Sequence, residues 1–181
     1  MWRYLGPAAA FIALGALFAF TLLRISQGKL DVHEIKSPLI GRAAPAFVLP
    51  SATDPAERVD SRAFAGHAYV FNVWGTWCGG CREEHAALLA IAKNGGVPII
   101  GLDWKDERAV AVRYLAELGN PYQQVAADAD GRTAIDWGVY GAPETFLVSS
   151  TGIVLEKHIG PISLDVWQRK FVPFLKAGGG L

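Results

Sequence analysis

Hydrophobic residues are spread unevenly along this chain. The first block is solid: Leu5–Leu23 carries no charge and is bracketed by Arg3 and Arg24. At about 1.5 Å per helical residue, such a block reaches across the core of a bilayer. A cleavable signal peptide is the competing reading. Against it, the apolar run is longer than a usual signal core, and no convincing small-x-small cleavage site follows it before Arg24. An uncleaved transmembrane anchor over residues 1–25 is therefore expected. Residues 26–44 are polar and contain proline, as a linker would be. Beyond them short apolar runs alternate with amphipathic stretches, and residues 45–177 suffice for one substantial core. The tail, 178–181, is glycine-rich and reads as a flexible end.

Within the soluble part, Phe47–Leu49, ended by Pro50, suits an edge strand. Ser51–Asp60 carries turn formers, and Ser61–Gly66 is a short turn or helical piece. Tyr69–Val73 is a continuous β-prone run, as expected at the centre of a sheet covered on both faces. Cys78–Ala92 predicts a helix with Leu88, Leu89 and Ile91 on its apolar side, stopped by Gly95-Gly96. Val97–Leu102 is a second buried strand. Asp106–Leu118 is a helix with Val110, Tyr114, Leu115 and Leu118 at near-helical spacing. Ala126–Asp130 reads as an acidic loop and Arg132–Trp137 as a short helix. Thr145–Ser149 and Ile153–His158 form a hairpin around Ser150-Thr151-Gly152. Leu164–Lys176 is a last helix, bent or interrupted at Pro173. The order β-α-β-α-β-β-α predicts a mixed sheet sandwiched by helices.

Charge and cysteine content narrow the chemistry. Seventeen basic side chains balance 17 acidic ones. With no basic cluster interleaved with aromatics, nothing points to nucleic acid. The chain has two cysteines, both in Trp74-Gly75-Thr76-Trp77-Cys78-Gly79-Gly80-Cys81. A strand that ends in Cys-x-x-Cys and continues as a helix is the thioredoxin-like redox arrangement. Cys78 then lies at the helix N-terminus, where unpaired N–H groups and the helix dipole favour its thiolate. Cys81 follows one turn later. A closed zinc site would need four ligands, and no second cysteine pair exists. Covalent haem attachment needs a His after the motif, where Arg82 stands. A structural disulfide spanning two residues would restrain little chain. Dithiol–disulfide exchange is the expected reaction.

Three segments carry a closer likeness: Phe71–Cys78 (Phe-Asn-Val-Trp-Gly-Thr-Trp-Cys), Gly138–Val148 (Gly-Val-Tyr-Gly-Ala-Pro-Glu-Thr-Phe-Leu-Val) and Lys157–Pro161 (Lys-His-Ile-Gly-Pro). Together with the Gly-x-x-Ala-Pro-x-Phe opening at Gly41–Phe47 and the anchor, the whole chain resembles the membrane-anchored, thioredoxin-like thiol:disulfide interchange proteins of bacterial cytochrome c maturation, the DsbE/CcmG family. The resemblance implies a thioredoxin-like α/β fold with N-terminal and central additions. It also implies a single-pass protein of the bacterial inner membrane whose domain faces the periplasm. There a membrane electron donor keeps the dithiol reduced, and the protein acts as reductant for apocytochrome c or the haem-ligation protein that handles it. No cofactor beyond the Cys78–Cys81 couple is implied. Charge alone leaves the orientation open, since Arg24 and Lys29 oppose Arg3, but a dithiol belongs where disulfides are managed. One departure is Gly79-Gly80, where the family commonly has Pro-Thr or a similar pair.

Two rival functions remain. One is a general extracytoplasmic protein-disulfide reductase. The other is a copper- or haem-handling protein, although the copper-delivery members of this superfamily space their cysteines by three and add a distal His. Cys78 is expected to be the attacking nucleophile, exposed by the small Gly75-Thr76 turn, and Cys81 the less accessible resolving thiol. From the residues alone Pro143 is as readily an ordinary trans turn proline. The resemblance implies a cis Ala142–Pro143 bond opposite Cys78, with the loop backbone beside it docking an extended substrate. Glu144 is read either as a proton relay to Cys81 or as a charge shaping the groove. Asn72 stands six residues before Cys78, where thioredoxins often carry a buried Asp, and it cannot accept a proton. Trp77 and Trp74 are expected to pack round the active-site turn and offer docking surface, with a plain core residue as the alternative for Trp74. His85 is too far along the helix to pair with Cys78 and reads as a partly buried helix residue.

Overall fold

The computed structural model describes residues 2–26, 37–94 and 96–177. Most of the expected linker (27–36), Gly95 of the helix stop and the tail 178–181 lie outside the described residues. The chain forms two compact units. The first is helix α1 (Trp2–Ser26), in which Tyr4–Arg24 has a mean hydropathy of 2.0 and no buried residue, long and apolar enough to cross a membrane.

The second unit is a thioredoxin-like α/β domain. Its sheet has the order β5-β4-β3-β6-β7, with β3 (Tyr69–Trp74) in the centre and every residue of it buried. β4 (Ile99–Trp104) and β5 (Gln124–Asp128) run parallel to β3 on one side. β6 (Glu144–Val148) and β7 (Val154–Ile159) run antiparallel on the other. Because alternate residues of a strand face opposite ways, the sheet sorts its side chains into two cores. One holds Trp74, Cys78, Cys81, Ile99 and Leu147, covered by α2 (Gly79–Asn94), α3 (Arg108–Leu118) and the C-terminal helix. The other holds Phe71, Val73, Leu102, Phe146 and Trp137, covered by α4 (Arg132–Asp136), the 3-10 turn Ser61–Phe64 and strand β2 (Arg58–Asp60).

Several expectations change. The stretch read as an acidic loop at Ala126–Asp130 largely belongs to β5, an edge strand of the sheet. Asp128 is fully buried there because its carboxylate accepts the N–H groups of Thr133 (3.1 Å) and Ala134 (2.9 Å) at the start of α4. An acid that caps a helix from beneath looks like a solvated acid in a sequence. The turn-rich 51–60 region contains β2 (Arg58–Asp60), which pairs with β1 (Val48–Pro50) as a hairpin. Residues 37–44, read as linker, join the domain through Gly41 N–H to Val154 O (2.8 Å) and Ala44 N–H to Gly152 O (2.8 Å). The last helix is interrupted, as expected, but ahead of Pro173 rather than at it. A π turn, Trp167–Phe171, separates α5 (Leu164–Val166) from α6 (Val172–Ala177), which contains the proline. Widening the turn before a proline relieves the clash of its ring with the preceding carbonyls.

Candidate active site

The apolar run of β3 delivers the chain to the C-terminal edge of the sheet, and the Gly75-Thr76-Trp77 turn swings it into α2. Cys78 sits immediately before the first helical residue, and Cys81 lies within the first turn. Their sulfurs are bonded at 2.09 Å, so this is the oxidised state. Cys78 Sγ also accepts the Cys81 N–H at 3.0 Å. That donor is one of the N–H groups a helix leaves unpaired at its start, and it stands ready to stabilise a thiolate at Cys78 on reduction. Cys78 is 6 % exposed and Cys81 3 %. The order is the expected one, yet Cys78 is recessed rather than exposed, so a partner must bring its disulfide to the rim.

The Ala142–Pro143 bond is cis. Pro143 is buried and Ala142 half-buried. The proline stands against the motif: a Cβ at Gly80 would lie 3.0 Å from Pro143 Cδ and 3.1 Å from Pro161 Cγ. Trp77 is 54 % exposed, packs edge-on to Trp104 at 5.6 Å and donates its indole N–H to Trp104 O at 3.1 Å. Trp74 differs from the expectation for a docking residue. It is 1 % exposed, stacked on Tyr122 at 5.3 Å and tilted against Tyr114 at 5.6 Å. Strand alternation turns it into the core beneath the motif, where no partner can touch it.

Glu144 is not brought to Cys81. In β6 it alternates with Thr145, and its face is that of Val73 and Phe146, across the sheet from the cysteines. There Glu144 Oε1 accepts the Tyr140 N–H at 3.3 Å, and Oε2 lies 2.8 Å from Lys157 Nζ. The ammonium donates a directed hydrogen bond to Gly138 O at 3.0 Å. Glu144 and Lys157 thus tie together the loop that leads into Pro143.

A buried acid on the cysteine face is Glu84, one helical turn beyond Cys81 and 1 % exposed. Glu84 accepts the Asn72 side-chain N–H at 2.9 Å and the Ile162 N–H at 2.8 Å. Asn72 in turn donates to Thr145 Oγ1 (3.1 Å) and accepts from Tyr122 Oη (2.9 Å). Burial pushes the Glu84 carboxyl up to about 7, against the two hydrogen bonds that favour its charged form. The sequence signal for Glu84 is its position three residues after Cys81, which puts both on one helix face. Asn72 therefore occupies the middle of this network and itself carries no titrating group. His85, as expected, is a buried helix residue, with Nε2 3.0 Å from Gly119 O and its ring edge-on to Tyr114. Among the described residues no group of three His, Cys, Asp or Glu side chains is placed to hold a metal.

A dithiol at a helix N-terminus, recessed beside a cis-proline loop on this sheet, defines a thioredoxin-like thiol:disulfide oxidoreductase. The Redoxin family matches residues 39–168. The chain is 42 % identical over 173 residues to the thiol:disulfide interchange protein DsbE of Allochromatium vinosum, covering 96 % of this chain and 92 % of that one. It is 46 % identical over 144 residues to DsbE of Pseudomonas aeruginosa, covering 80 % and 79 %. A crystal structure of a DsbE from Chlorobium tepidum is 28 % identical with a TM-score of 0.59, covering 70 % of this chain and 89 % of that one. The chain belongs to the DsbE family of thiol:disulfide interchange proteins. With α1 as its anchor, it is a single-pass protein of the inner membrane with a periplasmic domain.

Proposed function

We propose that this domain reduces a disulfide in apocytochrome c, or in the haem-ligation protein that handles it, with electrons drawn from a membrane reductant. The observation that carries the reading is the Cys81 N–H on Cys78 Sγ at 3.0 Å beside the cis-proline loop. It favours a thiolate at Cys78 in the reduced state. The Cys78 thiolate attacks one sulfur of the partner disulfide, and the departing partner thiolate takes up a proton. Cys81 then loses its proton and attacks Cys78 Sγ. This releases the second partner thiol and leaves the Cys78–Cys81 disulfide, so two electrons pass to the partner. The membrane donor restores the dithiol.

Other residues are assigned by placement. Glu84 accepts the Cys81 proton, because it is a buried acid on that face, it lies on α2 one turn beyond Cys81, and burial pushes its carboxyl up to about 7. Glu144 acts as an anchor of the docking loop. Ala142 makes no backbone hydrogen bond to another described residue, and this leaves its main chain free to pair with an extended partner segment. Pro143 sets the floor of that groove, and Trp77 supplies an apolar wall. Cys81→Ser in cells tests the reading, since the mixed disulfide on Cys78 can then no longer be resolved. Mass spectrometry of the trapped adducts should find apocytochrome c or a haem-ligation protein. Adducts spread over unrelated envelope proteins would instead support a general reductase.

A further inference from the structure

Asp103 belongs to no step of this exchange, yet it lies on the cysteine face of β4, paired in register with Trp74 and 2 % exposed. Its Oδ1 has no hydrogen-bond partner. The carboxylate that bears on it is Asp106, which the chain reaches through Lys105 in the left-handed region (φ 51°). Three donors converge on Asp106: the Thr76 N–H, the Thr76 hydroxyl at 2.9 Å and the Glu107 N–H at 2.7 Å. Two of them come from the turn that precedes Cys78. The same turn is held a second time by Trp77, whose indole N–H reaches Trp104 O, between the two acids in sequence.

With three donors gathered on it, Asp106 is the hydrogen-bond acceptor of the pair. A second buried carboxylate alongside then resists ionisation. Burial, followed by the charge of Asp106 and a hydrogen bond to it, pushes Asp103 up to about 7. The other titratable groups around it are Tyr122, ahead of β5, and through it Tyr114 of α3 and Glu84 of α2. Of the cations nearby, Arg82 lies over the Tyr114 ring at 5.3 Å and Lys105 Nζ over the Trp104 ring at 5.4 Å. We propose that Asp103 is held as a carboxylic acid that donates a hydrogen bond to Asp106, and that this shared proton positions the Thr76–Trp77 turn from which Cys78 projects. Asp103 is thus a positioning residue acting through Asp106. Loss of its proton places two carboxylates side by side and loosens Asp106 from Thr76. Only the consequence for Cys78 rests on that thiol being the nucleophile. The shared proton does not.

The test uses the full-length oxidised protein in detergent micelles, with its aspartate side-chain carboxyls labelled with carbon-13. The Asp103 carbon is expected to titrate with a midpoint near 7. The Thr76 amide resonance should shift with the same midpoint. Asp103→Asn keeps a donor for Asp106 but cannot ionise, so the Thr76 transition should be lost and the amide held at its low-pH position. Glu84→Gln should leave the transition in place, which separates Asp103 from the other acid that titrates near 7. An Asp103 carbon already ionised at about pH 5, one unit above the ordinary aspartate value, would overturn the proposal. So would a Thr76 transition that survives Asp103→Asn or vanishes in Glu84→Gln.

Discussion

Gly80 lies where two proline rings crowd the space that a side chain would take. A Cβ there would stand 3.0 Å from Pro143 and 3.1 Å from Pro161, whereas one at Gly79 would meet nothing within 4 Å. The two glycines of the motif are therefore unlike. Gly79 faces open space, and Gly80 is a close approach of the active-site helix to the loops around Pro143 and Pro161. Forcing a methyl group into such a gap costs about 1–3 kcal/mol, enough to slow exchange about tenfold or more if the transition state needs the loop in place. Gly80→Ala should show that loss in the rate of reduction of a small disulfide, and Gly79→Ala should not. Removing part of one wall with Pro161→Ala should restore much of the Gly80→Ala rate. Strict additivity of the two substitutions would show that the Pro161 contact does not set the rate. Glu84 makes the same point about single residues. Its position one turn after Cys81 is visible in the sequence, but its burial against Asn72 and the Ile162 N–H depends on contacts from β3 and the loop after β7.

The β6–β7 pair decides what Glu144 does. Lys157 in β7 is almost as buried as Glu144, with side chains 3 % and 0 % exposed, and its ammonium also lies over the rings of Tyr140 (4.8 Å) and Phe146 (5.0 Å). Removing one member of a buried ion pair strands the other charge and costs about 3–5 kcal/mol, while replacing both by apolar groups is often near neutral. Lys157→Met should thus lower stability by about that amount in urea denaturation. Adding Glu144→Leu should recover most of it without restoring exchange, because the Tyr140 N–H loses its acceptor and the loop before Pro143 its anchor. Recovery of full exchange by the double substitution would confine the pair to a stability role. Elements differ in how openly a sequence declares them. β3 and α2 are plain because a β-prone run broken only by Asn72 and a helical repeat need no tertiary context to be read. β5 hides behind Ala126, Asp128 and Asp130, since the carboxylate that makes the stretch look solvated is spent on the first N–H groups of α4. The side of the sheet that Glu144 occupies follows from its pairing with Val73, and a register slip of one residue would have turned it toward the cysteines.

For the domain as a whole, the two acids displaced toward neutrality set a pH dependence of folding. Burial raises Glu84 from 4.5 to about 7, and burial together with Asp106 raises Asp103 from 3.8 to about 7. Both shifts have the same sign. Between the unfolded and folded values the native state binds protons that the unfolded chain has released, so stability falls as pH rises through that window. The full penalty is reached above the folded value, on the order of 3 kcal/mol per group. The oxidised protein is the right form to measure, because no thiol then titrates. Urea unfolding of the domain, followed by tryptophan fluorescence in detergent micelles, should show lower stability at about pH 8 than at about pH 5.5, on either side of the folded values. Glu84→Gln and Asp103→Asn should each flatten part of the slope, and the double variant most of it. A wild-type stability that does not fall across this interval would mean that both carboxyls are ionised in the native state. In that case Glu84 would enter the exchange as a base without a proton to hold, and Asp103 would repel Asp106 rather than share a proton with it.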